Sequence, residues 1–399
     1  MTSPASPRPA AARAARPARR SGDRTVHALP PASTLAQTRD YLADVDRALH
    51  EAIASLVHTW RVELAQPLDA GSPPAPPADI LLDHDLPEML QALNGTGGKR
   101  IRPSMAYWGW VAAGGRADEE SQADVVRAGA ALELLHIFAL IHDDVMDESA
   151  SRRGQPSVHT LAAQLHLHSG GRGSANRFGD SIAVLVGDLA HAEADHLVSS
   201  LPAAMRSVWR VLVVELVRGQ SRDLTGSAAG RRDLEHARQV AQAKSGCYTV
   251  WRPLQLGATA AGADRATVEV LATYGAEVGE AFALRDDLLG VWGDPARTGK
   301  PAGDDLLSGK PTVILSLAHE LLQGPARDVL ERVGTPALSP ADVVFLQDAL
   351  RAGGVVDAVE SRISAHVHAA VAALGAEGLD PDGVAGLTQM AHRIAWRDR

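Results

Sequence analysis

Helical periodicity constrains this chain more than any other feature. From Asp85 onward apolar residues recur at three- and four-residue spacing, as in Val125, Ala128, Leu132, Leu135 and Ala139, and strand-like alternation is rare. Two segments, Ala131 to Ile141 and Val268 to Leu289, are apolar over most of their circumference. That pattern belongs to helices buried inside a bundle. The expected fold is all-α, a single-domain helical bundle over residues 35–399. Residues 1–34, rich in Ala, Pro, Arg and Ser without an apolar run, are expected to form a disordered arm. The arm lacks the hydrophobic region of a secretory signal. Its Arg-rich, acid-poor character resembles a transit peptide, but a solvated tail in a chain biased toward Ala, Arg and Gly is the simpler reading. Ala65 to Pro77 ends in Gly-Ser-Pro-Pro-Ala-Pro-Pro and is expected to be a loop between helices.

Composition narrows the function. With 48 acidic against 39 basic residues and a net charge of -9, the chain has no basic block outside its first residues, which argues against a nucleic-acid partner. One cysteine, Cys247, excludes an intramolecular disulfide framework and any multi-cysteine metal site, and fits a reducing cytoplasm. The longest apolar runs, Val211 to Val214 and Ile137 to Ile141, fall far short of the roughly 18 to 20 residues of a membrane helix, so no span is expected. Of the basic residues only four are lysines, Lys99, Lys244, Lys300 and Lys310, and where they fall proves informative.

The sharpest chemical signal is Asp143-Asp144-Val145-Met146-Asp147, at the end of the first buried helix. Positions i and i+4 share a helix face, so Asp143 and Asp147 project into the same space. Carboxylates so placed repel unless a cation joins them, and oxygen ligands suit Mg²⁺ bridged to phosphates; the alternative is an acidic helix end meeting solvent. A second pair, Asp286-Asp287, closes the apolar stretch Ala281 to Leu284, and a Gly- and Lys-containing loop runs from Gly293 to Lys310. The His-x-His pairs at His166/His168 and His366/His368 read as surface features rather than ligands. No Ser/His/Asp arrangement or HExxH zinc pattern is present.

Together these segments resemble the trans (all-E) isoprenyl diphosphate synthases, or polyprenyl synthetases. The match rests on Gly97-Gly98-Lys99-Arg100-Ile101-Arg102-Pro103, on Leu134-Leu135-His136 through Asp147 with Arg152-Arg153-Gly154, on Lys244-Ser245, and on Phe282 through Lys310, in the family's order. The resemblance implies an isoprenoid synthase fold around a central prenyl-binding cavity and a Mg²⁺-dependent condensation of isopentenyl diphosphate with an allylic diphosphate. It implies that Asp143, Asp147 and Asp286 hold three Mg²⁺ on the allylic diphosphate, with Arg152, Lys244 and Lys300 gripping the same group. Lys99, Arg102, His136 and Arg153 would bind isopentenyl diphosphate. Asp144, Asp287 and Asp305 would support lysines, arginines or metal-bound water, and Lys310 matches a family position with a less definite contact. Lys244 and Ser245, near a helix break, would offer a carbonyl or hydroxyl dipole to the carbocation. A homodimer is implied as well.

Two positions depart from the family pattern. The second motif usually carries a third acidic residue where Gly290 stands, and the Gln that usually follows its Phe is Ala283. Activity is expected to survive with a looser second metal site, and Gly290→Asp to change Mg²⁺ dependence only modestly. In the family the residues just before the first motif set product length. Here they are Phe138 and Ala139, aromatic then small, which resembles synthases making geranylgeranyl diphosphate; farnesyl diphosphate is the alternative. Phe138 is expected to form the cavity floor, so that Phe138→Ala would lengthen products; the alternative is that Phe138 merely fills core. A class I terpene cyclase would share the aspartates but has no use for Lys99, Arg102 and His136, and a non-catalytic partner subunit would normally have lost the intact first motif.

Overall fold

The computed structural model describes residues 32–63, 80–81, 84–95, 98–116, 120–152, 154–294 and 302–397. Most of the N-terminal arm, the whole of the Pro-rich loop Ala65 to Pro77, Arg153 and Lys300 lie outside these residues. The chain is all-α. Its first helix, α1, already begins at Ala32 and runs to His58, followed by a short π-helical turn, π1 (Thr59–Glu63). Then come α2 (Leu86–Gly95), α3 (Ile101–Ala112) and α4 (Glu120–Met146). A two-residue hairpin, β1 (Ser151–Arg152) with β2 (Gln155–Pro156), leads into α5 (Val158–His168), α6 (Ala175–Ser199) and α7 (Ala203–Ala228). Next are α8 (Leu234–Val240), a long π-helix π2 (Ala241–Trp251), α9 (Arg252–Ala260) and α10 (Arg265–Trp292). Beyond the loop lie α11 (Asp304–Ser308), α12 (Val313–Leu321), α13 (Pro325–Leu330), α14 (Pro340–Ala352), α15 (Val355–Ala373) and α16 (Pro381–Ala395).

The two segments apolar all round become the central helices. α4 packs against α6, α3, α1 and α9, while α10 packs against π2, α15 and α16. Leu132, Leu134 and Leu135 are fully buried on several sides of α4, as are Leu271, Tyr274 and Val278 on α10. Such helices cannot sit at a surface without exposing apolar area at about 25 cal/mol per Å². Among the described residues α4 alone is long and apolar enough to cross a membrane by length and composition, which the run-length reading does not anticipate. Within that window 61% is buried inside the bundle, so its apolar surface is already engaged.

Two smaller expectations change. His166 is a core residue, buried beneath Gly171 and packed at a tilt against Phe178, with its Nε2 3.0 Å from the Arg172 carbonyl. Its helix phase turns it inward, whereas His168, two residues on, is exposed as expected. His366 pairs with Glu277 at 2.7 Å.

Candidate active site

The C-terminal turns of α4 end in a set of paired charges. Asp143 Oδ1 accepts a hydrogen bond from Lys244 Nζ at 2.8 Å and another from Gln220 Nε2 at 3.3 Å. Lys244 Nζ also donates to Asp223 Oδ2 at 2.6 Å. Asp144, buried, receives a two-pronged pair from Arg152, Nε at 2.7 Å and Nη2 at 2.6 Å. Asp147 accepts from Lys310 Nζ. The hairpin explains the reach of Arg152: Gly154 takes a left-handed conformation (φ 76°), folding β1 back onto the end of α4. Burial alone would lower the proton affinity of both ammonium groups. The carboxylates of Asp143 and Asp223 around Lys244, and of Asp143, Asp305 and Asp147 around Lys310, more than reverse this, so both lysines stay charged.

Lys244 and Ser245 sit in a continuous π-helix and not at a break. Three glycines account for the close packing around it. A Cβ on Gly219 of α7 would lie 2.7 Å from the Lys244 backbone nitrogen, and one on Gly246 would lie 3.0 Å from the Gly279 backbone. The three backbones therefore approach closely, and the wider π winding lies where Lys244 reaches the aspartates.

The second acidic pair is built differently. Asp286 is 48% exposed at its side chain and pairs with Arg397, whose guanidinium is only 6% exposed and lies 4.1 Å over the Phe282 ring. Asp287 is buried and accepts the backbone N–H of Val313 at 3.0 Å, at the start of α12. Burial first, and then the nearby Asp305 carboxylate, push its proton affinity well above the usual carboxylate range.

Both pairs open onto one cavity of about 850 Å³. Away from the aspartates it is lined by Lys99, Arg102 and His136. Arg102 lies 4.2 Å over the Tyr248 ring and donates from Nη2 to Thr249 at 3.0 Å, while its buried Nε–H has no hydrogen-bond partner. His136 precedes Asp143 by two helical turns, about 10 Å of rise, so α4 carries an imidazole and an acidic end on one wall. Ser245, Phe282, Ala283 and Ala139 also line the cavity. Phe138 does not: one position off the face of Ala139, its ring packs against His142 and His191 at 4.6 and 4.9 Å. The floor expected at Phe138 is thus displaced behind the wall. Of the four lysines, the three described ones all line this cavity.

A family model for polyprenyl synthetase matches residues 83–343, which contain every one of these groups except Arg397. The chain belongs to the polyprenyl synthetase family. As a member it is an enzyme that transfers prenyl groups. It is 33% identical over 309 residues to a geranylgeranyl diphosphate synthase of Mycobacterium tuberculosis, covering 75% of this chain and 81% of the relative. It is 30% identical over 318 residues to a (2E,6E)-farnesyl diphosphate synthase of Mycobacterium bovis, covering 76% and 81%. Among solved structures, a Corynebacterium glutamicum geranylgeranyl pyrophosphate synthase complexed with isoprenyl diphosphate and magnesium superposes with a TM-score of 0.78 at 34% identity, covering 89% of this chain and 98% of that one.

For a polyprenyl synthetase the donor set fits a hard divalent ion. Asp143, Asp147 and Asp286 offer only oxygen, and each already carries a cationic side chain. Among the described residues no group of three or more His, Cys, Asp or Glu forms a ready cage. Mg²⁺ does not require one, since it is held by one or two carboxylates with phosphate and water oxygens. Three groups escape the motif-based reading. Gln220 and Asp223 are detectable as polar residues at i and i+3 just after Val211 to Val217, a stretch apolar apart from Glu215, but Arg397 leaves no signal in the sequence.

Proposed function

We propose that this enzyme condenses isopentenyl diphosphate with an allylic diphosphate (dimethylallyl, geranyl or farnesyl) in trans, head-to-tail fashion, with geranylgeranyl diphosphate as main product. The observation that carries the reading is the single cavity with an acidic end at Asp143 and Asp286, to which Asp147 is joined through Lys310, and a separate group at Lys99, Arg102 and His136. One site suits a metal-bound diphosphate, the other a second diphosphate held by side chains alone. A cyclase would need only the first.

Asp143, Asp147 and Asp286 would hold the ions, three in number on this reading, and Arg152, Lys244, Lys300 and Lys310 the allylic diphosphate itself. Bound Mg²⁺ would supply neutralising charge to the departing diphosphate. Lys244 and Lys310, kept protonated by the carboxylates around them, add fixed positive charge beside the same group. Arg102 and His136, with Lys99 and Arg153, would orient isopentenyl diphosphate so that its alkene faces the ionising carbon. Ala139, Ile137 and Phe282 keep water from the carbocation, and Ser245 lends a hydroxyl dipole. The released diphosphate would take the proton, so no side-chain base is required. Cytoplasmic location and a homodimer belong to the same reading, supported by the lone, half-buried Cys247 and by the exposed apolar Val184, Leu185, Val211, Val214 and Val217 of α6 and α7.

Incubation with Mg²⁺, isopentenyl diphosphate and each allylic starter, followed by dephosphorylation and chromatography, tests this. The C20 alcohol is expected from all three starters. Cyclic hydrocarbon formed without consumption of isopentenyl diphosphate would establish a cyclase instead. Because Ala139 lines the cavity, Ala139→Phe should shift products toward C15.

A further inference from the structure

π2 runs for 11 residues, whereas π winding is ordinarily confined to a single turn. Three of its side chains, Lys244, Tyr248 and Thr249, line the cavity. In an α-helix, at about 100° per residue, Thr249 would stand about 140° round the axis from Lys244. The i→i+5 bonding of a π-helix widens the turn and brings residues five apart onto one face. Lys244 thereby reaches the aspartates at the end of α4, while Tyr248 and Thr249 reach the other group. Thr249, only 1% exposed, accepts from Arg102 Nη2 at 3.0 Å. The Tyr248 ring lies against the same guanidinium, its centre 4.2 Å from Arg102 Cζ, and its centre is 6.3 Å from that of the His136 ring. The ring fixes the plane of the guanidinium, and the hydroxyl fixes its rotation within that plane.

We propose that Thr249 is a positioning residue for isopentenyl diphosphate, acting through Arg102, and that the π winding of π2 turns Thr249 to the cavity beside Tyr248, so that one helix serves both diphosphate sites. The inference rests on the reading above that Arg102 binds isopentenyl diphosphate. A guanidinium on a long side chain loses much rotamer freedom when it is held. Fixing it before substrate arrives removes that cost from binding. Thr249→Val keeps the shape of the side chain but withdraws the acceptor, leaving a charged N–H of Arg102 buried without it. The loss should fall on one substrate only, because Lys244, which serves the other, keeps its own partners Asp143 and Asp223.

The test is steady-state kinetics of prenyl transfer with isopentenyl diphosphate and geranyl diphosphate varied separately, and thermal unfolding as the control for folding. Thr249→Val should lower kcat/KM for isopentenyl diphosphate about tenfold, through KM, and change the KM for geranyl diphosphate by less than about twofold. Thr249→Ser, which restores the hydroxyl, should return to within about threefold of wild type. In an Arg102→Ala background Thr249→Val should change kcat/KM by less than about twofold, because the group it positions is gone. Tyr248→Leu, which serves if Thr249→Val does not fold, should raise the same KM about threefold and leave the other unchanged. Equal rises in both KM values, no rescue by serine, or full additivity with Arg102→Ala would overturn the inference. An Arg102→Ala enzyme with a wild-type KM for isopentenyl diphosphate would instead overturn the role of Arg102. A wild-type protein that consumes no isopentenyl diphosphate would overturn the functional reading, and the inference falls with either.

Discussion

The ends of α4 and α10 carry the same kind of residues in different states of preparation. At the end of α4 each carboxylate meets a cation supplied by the fold: Lys244 on Asp143, Arg152 on Asp144, Lys310 on Asp147. At the end of α10, Asp287 is buried against a backbone N–H, Asp286 is half exposed under the near-terminal Arg397, and position 290 has no side chain at all. The first end is fixed by partners on π2, β1 and α7 and by Lys310 just after α11. The second depends on two distant segments, the short helix α11 bearing Asp305 and the tail bearing Arg397. A charged array held rigid before substrate arrives costs no reorganisation during reaction, so the α4 end should dominate turnover, while the α10 end should tune metal affinity.

Several substitutions would break or sharpen this contrast. Asp143→Asn should have the largest effect, on the order of 10³-fold in kcat, because it removes a ligand and unbalances Lys244 together. Gly219→Ala touches no substrate, yet its Cβ would drive into the Lys244 backbone. Kinetics should show a loss of roughly 10²-fold from misplacing that ammonium, and calorimetric unfolding a destabilisation of about 1–3 kcal/mol. Arg397→Ala is the mildest. It removes a cation that competes with metal for Asp286, so the Mg²⁺ concentration for half-maximal rate should fall by up to about fivefold, a pair worth about 1 kcal/mol. An increase in that concentration would show that Arg397 supports the site.

What was legible in the sequence follows from range. The buried helices and the shared face of Asp143 and Asp147 depend on spacing within one helix, and the 3.6-residue repeat reveals them directly. The partners of those aspartates do not. Lys310 is 163 residues from Asp147 and Arg397 is 111 from Asp286, so only motif resemblance could place the first, and nothing could place the second. The π winding of residues 241–251 was likewise hidden, because it accompanies glycines on three separate elements. Phe138 failed by a single position: neighbouring residues on a helix point about 100° apart, enough to move a ring from the cavity wall to the layer behind it. The surroundings of Gly290 were hidden too, since a Cβ there would meet the Asp305 carboxylate of another element.

The most direct test of the contrast is a side-by-side measurement of kcat for labelled isopentenyl diphosphate incorporation, at saturating substrates and Mg²⁺, in wild type, Asp286→Asn and Asp143→Asn. Asp286→Asn is expected to lose on the order of 10²-fold and Asp143→Asn about tenfold more. Equal losses, or a greater loss in Asp286→Asn, would contradict the dominance of the prearranged end of α4.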